Sequence, residues 1–165
     1  MIRFEYMDRT RLPELSGDMF EILATNMSAI APTGNAYKED MALWYNAVSD
    51  GLQRENRKII LILLDNIELI GFFQYYVSGN LFMMEEIQLS KAWQGKENIF
   101  RRVYEFVVPQ LSGIKTVEAY ANKRNEKSQR ILEKLGLVVI GENKNGNSYH
   151  YSGLFSALME WLNSK

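Results

Sequence analysis

The stretch from Leu81 to Val108 constrains the fold most, because it reads as a strand, a polar turn and an amphipathic helix. Leu81–Leu89 is apolar apart from two adjacent carboxylates and a glutamine, and Gly95 lies in the turn that follows. The apolar residues of the helix recur at spacings of three and four, as in a half-buried helix, at Ile99, Val103, Phe106 and Val107. A strand that enters a helix through such a turn exposes unpaired N–H groups at the positive end of the helix dipole, which predicts an anion site.

The segments before this stretch predict two helices and an antiparallel meander. Apolar residues at helical spacing predict helices over about Pro13–Met27 and Glu39–Leu52. The isoleucine-rich run Lys58–Leu64 is typical of a central strand that is buried on both faces. Leu69–Tyr76 follows as a second strand, and a short turn then leads into Leu81–Leu89.

The segments that follow the helix of the Leu81–Val108 stretch predict a parallel strand pair. We expect the helix to end at Ser112-Gly113 and the next strand, Thr116–Ala121, to pair parallel with Leu81–Leu89, because a helical crossover joins them. A helix over Glu126–Leu135 follows, ended by Gly136, and then a hairpin and a short C-terminal helix. With 165 residues, the sequence predicts one domain, 1–165, of α/β (α+β) class, with a mostly antiparallel central sheet flanked by helices.

Composition excludes several classes of function. A formal net charge of −1 gives no support to a nucleic-acid or membrane partner. The absence of cysteine excludes disulfides and thiolate metal sites, and one histidine does not make a zinc site, so no metal is expected. The N-terminus lacks the apolar core of a signal peptide, and the run Ile59–Leu64 is too short to span a bilayer. We therefore expect a cytoplasmic protein.

A second motif lies at Asn125–Leu137, where an asparagine is followed three residues later by Ser128 and the segment ends in Lys-Leu-Gly-Leu. Together with Leu81–Val108 it resembles the GNAT superfamily of N-acetyltransferases, over roughly residues 59 to 151. The resemblance implies that the parallel strands splay apart and that acetyl-CoA is the cosubstrate. It further implies transfer of the acetyl group to a primary amine of a small molecule or peptide.

The resemblance also implies which residues bind acetyl-CoA. They are the end of the strand, the turn and the opening of the later helix: Ile87, Gln88, Leu89, Gln94, Gly95, Lys96, Glu97, Asn98, Ile99, Asn125 and Ser128. The pyrophosphate loop is degenerate, because Glu97 stands where the family has glycine and Ile99 where it has a second small residue. The charge of Glu97 disfavours a diphosphate, which nearby cations such as Arg101 could offset. Asn125 is equally well interpreted as an N-cap.

Three residues are the catalytic candidates: Glu85, Glu86 and Tyr120. A carboxylate of the acidic pair would attract a cationic amine and take its proton, although a structural ion pair explains the pair equally well. Many family members have a proton-donating tyrosine where this chain has Leu132, so Tyr120, Tyr149 or Tyr151 would have to replace it. His150 is interpreted as a surface or strand residue rather than a base.

Two other interpretations stay open from the sequence. Glu97, Ile99 and Leu132 together favour a catalytically impaired GNAT-like module that binds CoA or another ligand without transfer. An unrelated mixed α/β ligand-binding domain would require both motif matches to be accidental. The acceptor amine is left open, and a homodimer is expected only by analogy.

Overall fold

The computed structural model describes residues 1–54, 56–65 and 67–164. Its strands are β1 (Ile2–Tyr6), β2 (Arg57–Leu64), β3 (Glu68–Ser78), β4 (Leu81–Leu89), β5 (Thr116–Asn122), β6 (Val138–Glu142) and β7 (Ser148–Leu154). Its α-helices are α1 (Leu12–Ser28), α2 (Tyr37–Leu52), α3 (Ile99–Val107), α4 (Glu126–Lys134) and α5 (Phe155–Asn163). The strands form a seven-stranded sheet in the order β1-β2-β3-β4-β5-β7-β6. This mixed, mostly antiparallel architecture confirms the predicted fold class. No helix in the described ranges is long and apolar enough to cross a membrane.

The chain divides into two compact units that share strands of this sheet. Unit 1 comprises the described residues of 1–74 and 86–99, and unit 2 those of 75–85 and 100–164. The division therefore falls within β3 and β4 and at the first residue of α3.

Unit 1 is built on β2. Ile59, Ile60, Leu61 and Ile62 are each at most 1% exposed, which confirms a strand buried on both faces. One face of the strand packs in a hydrophobic core with residues of α1 and α2, among them Met19, Val48 and Leu52. Pro13 lies in the first turn of α1, where its missing N–H costs no hydrogen bond.

Unit 2 contains the predicted parallel pair. Leu81–Met84 of β4 pairs in parallel with Thr116–Ala119 of β5, and the paired register ends there although both strands continue. On the other side, β5 pairs antiparallel with β7 along its whole length. The confirmed parallel pairing follows from the helical crossover through α3.

The end of α3 differs from the prediction. The α-helix ends at Val107 and continues only as a three-residue 3-10 turn, Val108–Gln110, rather than reaching Ser112-Gly113. Pro109 lies in this turn, and proline has no N–H with which to continue an α-helical hydrogen-bond ladder. Gly113 adopts a left-handed φ of 68° in the segment that leads to β5.

Gly71 on β3 is required by a close approach of backbone. A Cβ at this position would collide with the carbonyl oxygen of Gln88 and lie 2.8 Å from Cδ2 of Leu89. We expect Gly71→Ala to lower the free energy of unfolding by about 1–3 kcal/mol, the usual cost of overpacking. Gly17→Ala in α1 is the matched control, since nothing lies within 4 Å of its added Cβ. That variant should gain about 0.8–1 kcal/mol from helix propensity. Urea titrations in which both variants behave alike would contradict the packing argument.

Candidate functional site

The loop between β4 and α3 has an unusual backbone. Gly95, Glu97 and Asn98 all have left-handed conformations, with φ of 75°, 57° and 51°. Glycine adopts this conformation readily, whereas a residue with a Cβ incurs roughly 1–2 kcal/mol. Glu97 therefore has the conformation that suits the glycine expected there from the family motif, although it carries a side chain.

Some N–H groups of this loop have no backbone partner. The N–H groups of Gln94, Lys96 and Ile99 donate to carbonyl oxygens within the loop, at 3.3–3.4 Å. Those of Gly95 and Asn98 make no backbone hydrogen bond within the described part of the chain. Both residues are exposed, and α3 begins directly after them. These N–H groups at a helix start form an arrangement that fits an anion such as a diphosphate.

The side chains of Lys96, Glu97 and Ile99 contribute differently to this loop. Lys96 and Glu97 are exposed, whereas Ile99 is only 1% exposed. Ile99 therefore presents only its backbone at the loop. Arg101 was expected to offset Glu97, but its guanidinium donates to the carbonyl oxygens of Trp161, Leu162 and Ser164 at the end of α5, at 2.8–3.2 Å.

A network of side-chain amides ties the loop to α1 and β4. The Nδ2 group of Asn26 donates to Oε1 of Gln88 at 2.9 Å and to the carbonyl oxygen of Leu89 at 2.8 Å. The Nε2 group of Gln94 donates to Oδ1 of Asn26 at 3.1 Å and to the same Leu89 carbonyl at 3.0 Å. Gln88 also donates through Nε2 to the carboxylate of Glu86. One connected set of hydrogen bonds thus joins the predicted base Glu86 to the predicted cofactor loop.

This network shows which backbone groups of Ile87, Gln88 and Leu89 already have a hydrogen-bond partner. The carbonyl oxygen of Leu89 already accepts two hydrogen bonds. The N–H of Ser90 donates to Ile70 on β3, so alternation along the strand turns the backbone groups of Gln88 toward β3 as well. Ile87 and the N–H of Leu89 remain on the opposite edge of the strand. Asn26 was missed from the sequence, because nothing local marks an asparagine in the last turns of α1 as part of a loop 68 residues away.

The two carboxylates of the acidic pair are in different surroundings. Both side chains are half-buried, but Glu85 belongs to unit 2 and Glu86 to unit 1. Glu86 accepts the hydrogen bond from Gln88. The role of each as a base stays a prediction.

The second motif forms the well-capped helix α4. The side chain of Asn125 accepts a hydrogen bond from the N–H of Ser128 at 3.1 Å, as an N-cap does. At the other end Gly136, with φ of 92°, donates to Glu133, and Leu137 donates to Leu132. This pair of bonds is the Schellman motif, which confirms Gly136 as the residue that ends the helix. The N-cap role of Asn125 is compatible with the predicted cofactor contact.

Tyr120 lies beside a hydrogen-bonded pair of side chains on β5 and β7. Its ring stacks on that of His150, with centroids 4.4 Å apart and an interplanar angle of 18°. Nε2 of His150 is 2.6 Å from Oε1 of Glu118. His150 was interpreted as a plain strand residue, and its partners were missed because they depend on the register in which Tyr120 opposes His150.

The remaining candidate proton donors are less suitable. Tyr151 is 1% exposed, and burial raises the pKa of its hydroxyl. Tyr149 lies under the ammonium group of Lys123, with Nζ 5.2 Å from the ring centroid. Leu132 is buried at the position where the family has its tyrosine. Tyr120, at 46% exposure, is the most exposed of the three tyrosines, since Tyr149 is half-buried.

Solved structures share this mixed sheet with its parallel pair. A PaiA N-acetyltransferase from Thermoplasma acidophilum in complex with coenzyme A superposes with a TM-score of 0.73 at 14% identity, over 93% of this chain and 99% of that one. An acetyltransferase from Thermus thermophilus gives a TM-score of 0.73 at 14% identity, over 93% and 97%. A spermidine N-acetyltransferase from Vibrio cholerae, solved with CoA and spermine, gives 0.58 at 15% identity, over 96% and 98%. No protein-family model and no curated protein sequence matches the chain.

These similarities define the architecture as a mixed α/β sheet, in which β4 and β5 form a parallel pair. The chain has the GNAT fold, as the resemblance of its two motifs predicted.

The strain in the loop predicts that Glu97→Gly stabilises the protein. Removing the side chain relieves about 1–2 kcal/mol of left-handed strain, partly offset by the greater backbone entropy of glycine in the unfolded chain. We expect a net gain of about 0.5–1 kcal/mol in a urea titration. Lys96→Gly is the control, since Lys96 does not have a positive φ and should lose about 0.5–1 kcal/mol. A Glu97→Gly variant no more stable than the wild type would show that the side chain contributes a compensating contact.

The amide network predicts that Asn26→Ala loosens the loop. The substitution removes three hydrogen bonds and leaves the buried amide of Gln88 and the half-buried amide of Gln94 without this partner, a loss of about 1–3 kcal/mol. Hydrogen exchange followed by mass spectrometry should show faster exchange in residues 90–98. Asn46→Ala, at an exposed position of α2, is the control. Equal exchange in the two variants would mean that the network does not hold the loop.

Proposed function

We propose that the chain is an N-acetyltransferase that transfers the acetyl group of acetyl-CoA to a primary amine of a small molecule or peptide. The observation that carries this proposal is the β4–α3 loop, where Glu97 adopts a glycine-like conformation next to N–H groups without backbone partners. Left-handed backbone at a non-glycine residue is strained, and strain of this kind clusters at ligand-binding and active sites. The GNAT fold and two structures of that fold solved with CoA support the same ligand.

The residues of the loop would hold the diphosphate of CoA. The N–H groups of Gly95 and Asn98, with the start of α3, supply the donors, and Lys96 adds an exposed positive charge. The backbone groups of Ile87 and the N–H of Leu89 would bond the extended arm of the cofactor as a further strand would. Asn125 and Ser128 are proposed to contact the same arm. When bound, acetyl-CoA supplies an activated thioester.

The acceptor is proposed to be a cationic amine. A protonated amine has no lone pair with which to attack a carbonyl carbon, so a nearby group must take its proton. Glu85 and Glu86 are half-buried carboxylates that would attract such a cation. The Vibrio cholerae enzyme of the same fold is a spermidine N-acetyltransferase. Polyamines are therefore the first acceptors to test, followed by peptides with a free N-terminus. A cytoplasmic location and a homodimer remain predictions.

One observation favours the rival proposal of a binding module without catalysis. Leu132 is buried and carries no exchangeable proton at the position of the family's tyrosine. A module of this kind would bind acetyl-CoA with the same loop and acetylate nothing.

Acetyl-CoA binding tests the shared part of both proposals. A ligand that binds only the folded state raises the melting temperature of the protein. At a free ligand concentration of 100 times the dissociation constant, it adds about 2.7 kcal/mol to the free energy of unfolding. We expect such a rise, and we expect Glu97→Gly to bind more tightly in calorimetry, because one negative charge leaves the diphosphate site. Lys96→Gly should bind more weakly, since it loses a positive charge. A chain with no melting shift up to millimolar acetyl-CoA would contradict both proposals.

The acidic pair separates the enzyme from the binding module. If one of the two carboxylates is the base, its change to glutamine should lower acetyl transfer by about 10²–10⁴-fold. Cofactor affinity should change little, because the loop binds through backbone groups. Rates for Glu85→Gln and Glu86→Gln, with melting curves on the same samples, check this expectation. Full activity in both variants would remove the acidic pair from the chemistry, and a wild type that binds acetyl-CoA but acetylates no amine would be the binding module.

A further inference from the structure

The sole histidine of the chain is held by a carboxylate on the neighbouring strand. His150 on β7 and Glu118 on β5 meet through Nε2 and Oε1 at 2.6 Å. The two side chains are 21% and 22% exposed, so they are largely withdrawn from water but still reachable. A hydrogen bond of this length to a carboxylate is strong and fixes the orientation of the ring.

The hydrogen bond also selects the tautomer of the neutral ring. A carboxylate only accepts, so the nitrogen that faces it must carry the proton, and the proton of a neutral imidazole is then on Nε2. Nδ1 keeps its lone pair and has no hydrogen-bond partner among the residues that the structure describes. The same logic makes a histidine a base in enzymes where a carboxylate holds its far nitrogen. In this neutral form, the lone pair on Nδ1 of His150 is available to accept a proton.

Tyr120 fixes the plane of the imidazole. The two rings are nearly parallel at 4.4 Å, and Tyr120 opposes His150 in the β5–β7 register. The ring of His150 is therefore held at one edge by Glu118 and on one face by Tyr120. A preorganised ring of this kind loses little orientational freedom when it accepts a proton.

The position of the group in the sheet connects it to the proposed chemistry. The paired register of β4 and β5 ends at Met84 and Ala119, and Glu118 and Tyr120 are the residues on either side of Ala119. The resemblance implies that these two strands splay apart and that the pantetheine arm of acetyl-CoA lies in the gap between them. Resting on the proposed function, we propose that His150, positioned by Glu118 and Tyr120, is the proton acceptor for the acceptor ammonium.

The step is a proton transfer. An N–H bond of the ammonium breaks and its electron pair stays on the amine nitrogen, while Nδ1 of His150 forms a new N–H bond. The imidazolium is then stabilised by the carboxylate of Glu118, and the neutral amine has the lone pair that attack on the thioester requires. The imidazolium later releases its proton to water. In this assignment His150 is the catalytic residue, and Glu118 and Tyr120 are positioning residues.

The first experiment reads the tautomer directly. Because the chain has one histidine, ¹⁵N–¹H correlation spectra of its ring contain a single set of signals. We expect the neutral ring of the apo protein to carry its proton on Nε2 and an unprotonated Nδ1, and we expect this preference to weaken in Glu118→Ala. A neutral ring that carries its proton on Nδ1 overturns the proposal, and this result does not require any measurement of turnover.

The second experiment measures turnover. Thiol release from acetyl-CoA is followed with spermidine, with n-butylamine and with a peptide that has a free N-terminus. We expect His150→Gln, which keeps a hydrogen-bonding group beside Glu118, and His150→Phe, which keeps a ring beside Tyr120, to lower kcat by about 10²–10⁴-fold. The affinity for acetyl-CoA should stay within about twofold in calorimetry, because no loop residue changes. Ser152→Ala, which removes a half-buried hydroxyl opposite Glu118, is the control and should keep the wild-type rate.

The outcomes separate this proposal from the proposed function. Wild-type acetylation that survives in both His150 variants overturns the role of His150 and leaves the acetyltransferase proposal intact. A wild type that binds acetyl-CoA but acetylates none of the three amines overturns both. If one variant fails to fold, as melting curves would show, the rate of the other decides the result.

Discussion

The parallel pairing of β4 with β5 is the contact on which the candidate site depends. It follows from the helical crossover through α3, and it covers only four residues of each strand, Leu81–Met84 and Thr116–Ala119. Beyond this short ladder each strand carries its polar candidates, Glu85 and Glu86 on β4 and Tyr120 on β5. A longer ladder would have used the backbone groups of Ile87 and Leu89 for sheet formation. The early end of the pairing leaves the backbone groups of Ile87 and the N–H of Leu89 out of this ladder, whereas the carbonyl of Leu89 accepts from Asn26 and Gln94.

The loop that follows β4 has a strained backbone, and a connected set of side-chain hydrogen bonds holds it. Two non-glycine residues in left-handed conformation cost about 1–3 kcal/mol each, which is a large fraction of the stability of an ordinary domain. The amides of Asn26, Gln88 and Gln94 converge on the carbonyl of Leu89, where the loop begins, and each bond contributes about 0.5–1.5 kcal/mol net. The two effects have the same magnitude. The network is therefore strong enough to hold a conformation that the loop sequence alone disfavours.

The sequence predicted the elements that carry a local signal. Hydrophobic spacing located β2, and Gly136 ended α4 as expected, because burial and capping impose patterns within a few residues. The parallel pair was predictable from connectivity alone. The helix α3 ends earlier than predicted, because Pro109 interrupts the α-helical hydrogen bonds before Ser112-Gly113 is reached.

Contacts between distant residues explain what sequence reasoning missed. Asn26 and Gln88 are 62 residues apart, and Glu118 and His150 are 32 apart, so no spacing rule connects them. In both cases the pair forms only once the register of an element is fixed. The degenerate loop shows the opposite situation, in which the departure at Glu97 was visible in the sequence but its consequence was not. A glutamate in that position suggested a lost motif, whereas its backbone has the left-handed conformation that glycine adopts readily.

The candidate proton acceptors differ in what holds them, and this difference bears on how the chemistry would be controlled. Glu86 is linked by Gln88 and Asn26 to Gln94, so any ligand that moves the loop also acts on the position of this carboxylate. His150 is held within unit 2 by Glu118 and Tyr120, and its geometry is set by the β5–β7 register. A carboxylate coupled to the cofactor loop suits a group that becomes aligned only after the cofactor binds. A histidine fixed by its own strand pair suits a group that is ready before binding, so the order of substrate binding should differ according to which of them takes the proton.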